Sequence, residues 1–248
     1  MKETNIEKCK EIARLFLELP VEVNPRLGLP YVYHPYTKYS CIVDKNGEMG
    51  DIVSNQKMLD YFKKNINEQI ARTEKYSDFL FFLNDTYYMA FLKFTESFIS
   101  KKDLSKYLSY AWVNSEYTNR NADLPKSQMI RIFSKTDKCA LMGKENYNVY
   151  ASLPQELTVY RGISIDDDKN IKALSWTLDK EQASWFATRF SRNGYVYEAK
   201  IDKKDIFAFF NDRNEQEIVL NYRKLKDIQK VQNVRRYERN KGLNGTIR

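Results

Sequence analysis

Over residues 5–19, apolar and polar positions alternate at the three-and-four spacing of an amphipathic helix, which Pro20 halts. The same spacing returns from Gln56, with Leu59, Phe62, Ile66 and Ile70 on one side. Residues 76–100 are apolar on nearly every side, which predicts a helix buried within a bundle. Residues 104–112 and 127–133 add shorter helical pieces. Between the first two helices, Pro25, Pro30 and Pro35 mark an irregular, Tyr-rich connection. Cys41-Ile42-Val43 then runs into Asp44-Lys45-Asn46-Gly47, a strand entering a hairpin turn, because Asn-Gly suits the turn's positive φ angles. After Pro154 the pattern changes to β-favouring runs at 157–160, 195–201 and 217–220, with a shorter one at 174–178. A helix over 179–190 interrupts them, with Ala183, Phe186, Ala187 and Phe190 on one face. The expected fold class is α+β: a mainly helical region over 1–150, then a strand-rich region over 151–248. The boundary is expected between Tyr147 and Pro154, and there are no internal repeats.

Composition narrows this picture. A chain of 248 residues with 42% hydrophobic and 30% charged positions is long enough for a large core and reads as soluble and globular. Its 18 tyrosines and 14 phenylalanines against 8 glycines argue against a flexible or low-complexity chain. Cys9, Cys41 and Cys139 lie far apart without metal-like spacing, which points to reduced thiols in a cytoplasmic setting. The charged start Met-Lys-Glu-Thr-Asn-Ile-Glu-Lys has no apolar segment of a secretory signal. No run approaches the ~18 uninterrupted apolar residues of a membrane span, so no membrane partner is expected. A net charge of +8 favours polyanionic partners. Residues 230–248 concentrate it, with Lys230, Arg235, Arg236, Arg239, Lys241 and Arg248 against the single Glu238. That tail suits either nucleic-acid binding or a solvated terminus.

The candidate chemistry lies in Asp-Arg-Asn-Glu-Gln-Glu-Ile-Val-Leu, residues 212–220. The third strand is expected to begin with Glu215-Gln216-Glu217, so the two glutamates leave by the same face, roughly 6–7 Å apart. Two like charges so placed repel and cost stability unless a cation or a reaction meets them. Alone, such a pair is most simply a polar strand start. Two further features precede it in order: a strand ending in Tyr160-Arg161-Gly162, and the short strand Leu174-Ser175-Trp176-Thr177-Leu178 leading into a helix. Each is weak by itself, since Arg161 could be a salt-bridged surface residue and Ser175 and Thr177 could pair across strands or cap the helix.

Together, the ordered Arg…Ser-x-Thr…Glu-x-Glu set resembles the mono-ADP-ribosyltransferases related to bacterial toxins and phage enzymes. The resemblance covers residues 155–225. It implies a split β-sandwich with NAD as substrate and no metal. Breaking the bond between ribose and nicotinamide passes through an oxocarbenium-like sugar, which a fixed carboxylate stabilises. By resemblance that carboxylate is Glu217, while Glu215 orients or deprotonates the acceptor. Arg161, with Gly162 beside it, would contact the dinucleotide near its phosphates, as a planar guanidinium suits. Ser175 and Thr177 would support the glutamate strand and the nicotinamide pocket; Trp176 at the centre of the triplet and Thr177 in place of Ser are mild departures. Nicotinamide also needs an aromatic surface, for which Tyr160, Trp185, Phe190 and Tyr195 are the candidates. Arg189 and Arg192 could reach phosphate from the end of the helix.

Other chemistries fit less well. Neither G-x-G-x-x-G nor G-x-x-x-x-G-K-[ST] occurs, which speaks against a Rossmann dehydrogenase and a P-loop enzyme. The sole histidine, His34, lies in Tyr33-His34-Pro35-Tyr36, far from the glutamates, so neither a His-based zinc site nor a Ser-His-Asp set is expected. Carboxylates two apart on one strand would not flank a glycosidic bond from opposite sides, as a glycosidase requires. The acceptor stays open: the Glu-x-Glu pattern favours protein arginine, while the basic charge and abundant tyrosines favour a nucleic-acid base, RNA in particular. An intracellular toxin restrained by an inhibitory antitoxin protein, or a phage or antiviral (phage-defence) effector, fits the resemblance, with the helical region over 1–150 supplying acceptor recognition or a docking surface for the inhibitor. A non-catalytic RNA- or protein-binding module is the reading from another class.

Overall fold

A computed structural model describes residues 3–115, 124–165, 170–189 and 193–235. The fold is α+β, in two compact units, residues 1–141 and 142–248. The second unit begins at Met142, ahead of the expected stretch between Tyr147 and Pro154. Phe190, Arg192 and the tail residues Arg236, Glu238, Arg239, Lys241 and Arg248 lie outside the described residues.

In the first unit, helix α1 (Ile6–Leu17) starts where the Asn5 side chain accepts from the Lys8 backbone N–H. It packs against α2 (Gln56–Arg72), which buries Met58, Phe62, Ile66 and Ile70 at helical spacing. The proline-rich connection is not irregular. It forms a three-stranded antiparallel sheet of β1 (Glu22–Val23), β2 (Tyr31–His34) and β3 (Thr37–Tyr39). The predicted hairpin is present as β4 (Cys41–Val43) and β5 (Met49–Asp51), with Gly47 at φ 84° in the turn. Residues 76–100 do not make one helix. A 3-10 helix (Tyr76–Phe81) and another at Asp85–Tyr87 precede the short α3 (Tyr88–Thr95). Asn84 causes the interruption, because its side-chain oxygen accepts from Thr86 N–H and starts a fresh helical segment. Helices α4 (Lys101–Asn114) and α5 (Lys126–Ser134) complete a core in which Tyr76 meets Phe91 and Tyr107, and Trp112 meets Phe133 edge-on.

His34 is fully buried in this unit, with Nδ1 accepting from the Tyr36 backbone N–H at 3.2 Å. Burial, reinforced by the nearby Lys63 ammonium, lowers its pKa from 6.5 to about 4.

Helix α6 (Lys138–Ser152) leads into the second unit and kinks at Gly143, whose φ of 71° no helix accommodates. The unit then builds one antiparallel six-stranded sheet. Its strands are β6 (Glu156–Ser164), β7 (Ser175–Thr177), β8 (Asn193–Asp202), β9 (Ile206–Phe210), β10 (Glu217–Leu220) and β11 (Lys226–Arg235), in the order β11-β8-β6-β7-β10-β9. Strand β9 was not among the expected strands, and Lys230 and Arg235 lie on β11 rather than in a tail. Strands β6 and β8 pair along their whole length, from Glu156 opposite Asp202 to Ser164 opposite Gly194. By contrast, β6 and β7 meet at a single pair, Tyr160 opposite Thr177. Two three-stranded halves are therefore joined at one point.

Helix α7 (Lys180–Thr188) packs on β6 and β8. Its close approach depends on two glycines. A Cβ on Gly162 would lie 1.8 Å from the Ala183 carbonyl oxygen, and one on Gly194 would lie 2.1 Å from that of Ala187. Both obstacles are backbone and cannot rotate away. Gly162 thus serves helix–sheet packing, which differs from the cofactor contact expected of it.

Two outcomes follow. Gly162→Ala pushes α7 off the sheet and lowers stability by about 1–3 kcal/mol in urea unfolding; an unchanged midpoint would contradict the packing. For His34, the folded protein binds fewer protons than the unfolded chain between pH 4 and 6.5. Stability is then intact above pH 6.5 and falls toward pH 4 by roughly 3 kcal/mol. His34→Gln should flatten that slope in pH-dependent unfolding.

Candidate functional site

The register of the second unit brings three of the expected residues into one row. Glu217 stands opposite Thr177, Thr177 opposite Tyr160, and Tyr160 opposite Glu198. Directly paired residues project from one face, so these four side chains form a row across β10, β7, β6 and β8. Tyr160 and Glu217 are two strand spacings apart, about 10 Å. Glu198 was not expected here; only the register shows that it faces Tyr160. Its carboxylate accepts from Gln229 Nε2 at 3.1 Å. Burial and then the Glu198 charge push the Tyr160 phenol above its ordinary range, so it stays protonated beside that carboxylate.

Glu217 is 7% exposed, an unusual position for a carboxylate and one that needs compensating partners. It opens β10, and the residues before it do not continue the strand. Gln216 has φ 44° and Asn214 φ 56°, both left-handed, so period-two alternation stops at Glu217. Glu215 consequently does not share the strand face of Glu217, contrary to the expectation of two carboxylates side by side. It sits in the turn, where its Oε2 pairs with Arg213 Nη2 at 2.9 Å. The like-charge cost is relieved by geometry and by Arg213, which the sequence reading did not single out.

Thr177 fixes that turn. Its hydroxyl donates to the Glu215 carbonyl at 2.7 Å and accepts from Asp179 N–H at 3.0 Å. Asp179 in turn caps α7, its side chain accepting from Glu181 and Gln182 N–H. Two backbone bonds hold the turn as well: Leu178 N–H donates to the Gln216 carbonyl, and Gln216 N–H to Asn211 Oδ1. Ser175 lies on the same face as Thr177, two residues along, and none of the described residues hydrogen-bonds its hydroxyl.

Arg161 approaches β7 from the other side. It pairs with Tyr197 in the β6–β8 ladder and so belongs to the face opposite Tyr160. Where β6 and β7 part, its guanidinium spans the gap. Nη1 donates to the Ser175 carbonyl, and Nε to the Asn170 carbonyl at 3.1 Å. At least two of its five donors thus bind backbone, so the open fork expected to grip a pyrophosphate is partly engaged. Arg161 and Glu217 stand on strands flanking β7.

The aromatic candidates separate. Tyr195 pairs with Ile163 on the face opposite Tyr160, and the Lys230 ammonium lies 4.2 Å from its ring centroid. Trp185, on α7, is 50% exposed with the Arg189 guanidinium 5.2 Å from its ring. Among these, Tyr160 alone is in the Glu217 row. Among the described residues, no helix is long and apolar enough to cross a membrane. No family model, curated protein or solved structure matches the chain.

Replacing Thr177 with Val keeps the shape but leaves the Glu215 carbonyl and Asp179 N–H without the hydroxyl. A loss of about 1–3 kcal/mol in thermal or urea unfolding is expected, with Thr177→Ser recovering most of it. Equal midpoints for Val and wild type would remove Thr177 from this role.

Proposed function

We propose that the second unit is the split β-sandwich of a mono-ADP-ribosyltransferase that uses NAD. The observation that carries this reading is the register linking Glu217, Thr177 and Tyr160 across three adjacent strands, with Arg161 reaching the middle strand from its other side. Residues 56 positions apart in sequence converge on one short strand, in the types that the chemistry needs. Two half-sheets joined at one pair also suit a sandwich that opens at that seam.

In this mechanism the bond between the ribose anomeric carbon and the nicotinamide nitrogen breaks, and its electron pair leaves with nicotinamide. Positive charge develops on the sugar. Glu217, rigid at the start of β10 and largely withdrawn from water, stabilises that charge and binds a ribose hydroxyl. Arg161 acts by holding β7 in place through the Ser175 carbonyl and the preceding loop through the Asn170 carbonyl, beside the dinucleotide site. The Ser175 hydroxyl, which no described residue hydrogen-bonds, is on the Glu217 face and supplies a further ligand contact. An acceptor nucleophile then bonds to the anomeric carbon and gives up its proton. Glu215, anchored by Arg213 in the adjoining turn, is placed to orient that acceptor. A nucleic-acid base, in RNA, is the favoured acceptor given the net charge of +8; a protein arginine is the alternative.

A second reading, a binding module without turnover, draws on the engagement of Arg161 with backbone carbonyls. Nicotinamide release from NAD by the purified protein separates the two. Glu217→Gln should cut release by about 10²-fold or more while leaving the unfolding transition cooperative. Equal rates from both proteins would overturn the enzyme assignment. Labelled NAD with a cell extract, followed by nuclease or protease digestion, then identifies the acceptor.

A further inference from the structure

The helical unit contains a cavity of about 470 Å³ lined by Lys93, Lys101, Arg131 and Lys135, with Glu96 and Ile99 among its other walls. The four cations come from three helices: Lys93 from α3, Lys101 from the first turn of α4, and Arg131 and Lys135 from the end of α5. Glu96 organises two of them. Arg131 donates to both of its oxygens at 2.6 Å, and Lys135 Nζ donates at 2.8 Å. Burial alone would raise the Glu96 pKa, but the bonds from Arg131 and Lys135 outweigh it and hold the carboxyl below its ordinary range. One carboxylate therefore fixes two cations and cannot neutralise four. Lys93 and Lys101 are exposed and pair with no carboxylate among the described residues. The nearest acid in sequence, Asp103, is spent on the Ser100 and Thr4 hydroxyls.

Among its described lining residues four cations face one carboxylate, and that excess of positive charge has an electrostatic cost that an anion relieves. Its volume lies within the ~300–1,000 Å³ of small-molecule sites and exceeds what one inorganic anion fills. Apolar wall from Ile99 and Leu104 beside the cations suits a sugar or base next to a phosphate. We propose that this cavity is a phosphate-binding site whose occupant is a nucleotide unit of a single-stranded RNA, held through its phosphodiester. The inference does not rest on the enzyme reading, since binding here needs no NAD.

The test is fluorescence anisotropy of a labelled 12-nucleotide RNA with the full chain, and calorimetry with AMP and with inorganic phosphate. Wild type is compared with the double variant Lys93→Ala/Lys101→Ala, in which two exposed side chains with no carboxylate partner among the described residues are shortened and thermal unfolding verifies the fold. RNA affinity should fall about tenfold at low salt, and the slope of log K against log salt should decrease by about 1.4, at roughly 0.7 per phosphate contact. If AMP or phosphate binding is lost in the variant while RNA binding is not, the phosphate chemistry holds but the strand is overturned as its source. If the variant binds all three ligands as wild type does, or wild type binds none, the site is overturned.

Discussion

One backbone pair, Tyr160 opposite Thr177, connects the two halves of the sheet in the second unit. On one side of it, β6 and β8 are locked together along their length, with α7 seated on glycines. On the other side, β7, β10 and β9 form a short ladder of their own. Because the halves share so little pairing, their relation depends on side chains that reach across the seam. Arg161 binds the Ser175 and Asn170 carbonyls, replacing with a guanidinium the ladder that β6 and β7 do not form beyond their single pair. A charged donor is well suited to this, since its hydrogen bonds to carbonyls are stronger than neutral ones. The same seam brings Ser175, Thr177 and Glu217 to one face. Sheet architecture and candidate chemistry are thus one problem, and a change that shifts the register by one residue turns Glu217 away from that face.

The sequence was most legible where a single period governs a whole element. Helices α1 and α2, the Asn-Gly hairpin and the strands carrying Arg161, Ser175 and Glu217 follow from spacing and turn chemistry alone. Strand β9, Ile206-Phe-Ala-Phe-Phe210, buries both faces of most of its length, so it has no alternation to read. Strand β11 failed for the opposite reason: it is an edge strand, exposed almost throughout, and its composition is that of a solvated segment. Residues 76–100 look helical because apolar character is continuous there, yet a side-chain cap at Asn84 breaks the run. In the site, residue types and their order were readable, but partners were not. That Glu198 faces Tyr160, that Tyr195 is on the other face, and that Glu215 belongs to a turn with Arg213 all depend on register and on two left-handed residues. Asn and Gln at 214 and 216 gave little warning, since neither is glycine and only Asn favours that region.

Thr177 shows what a threonine supplies at this position beyond a serine's hydroxyl. A serine there would offer the same hydroxyl to the Glu215 carbonyl and Asp179 N–H. Threonine adds a methyl group at a position only 5% exposed, between Tyr160 and Glu217. Its β-branch also restricts χ1, so the hydroxyl loses less freedom when it is held between turn and helix. The consequence reaches Glu217 through the backbone. With the Glu215 carbonyl pinned, Gln216 is held at its left-handed φ by bonds on both sides, and the first residue of β10 has few alternative directions. In the proposed reaction Glu217 meets charge that exists only in a transition state, so it must be positioned beforehand, because reorienting it during the reaction would cost part of the stabilisation. Rigidity at Thr177 is therefore a property of Glu217.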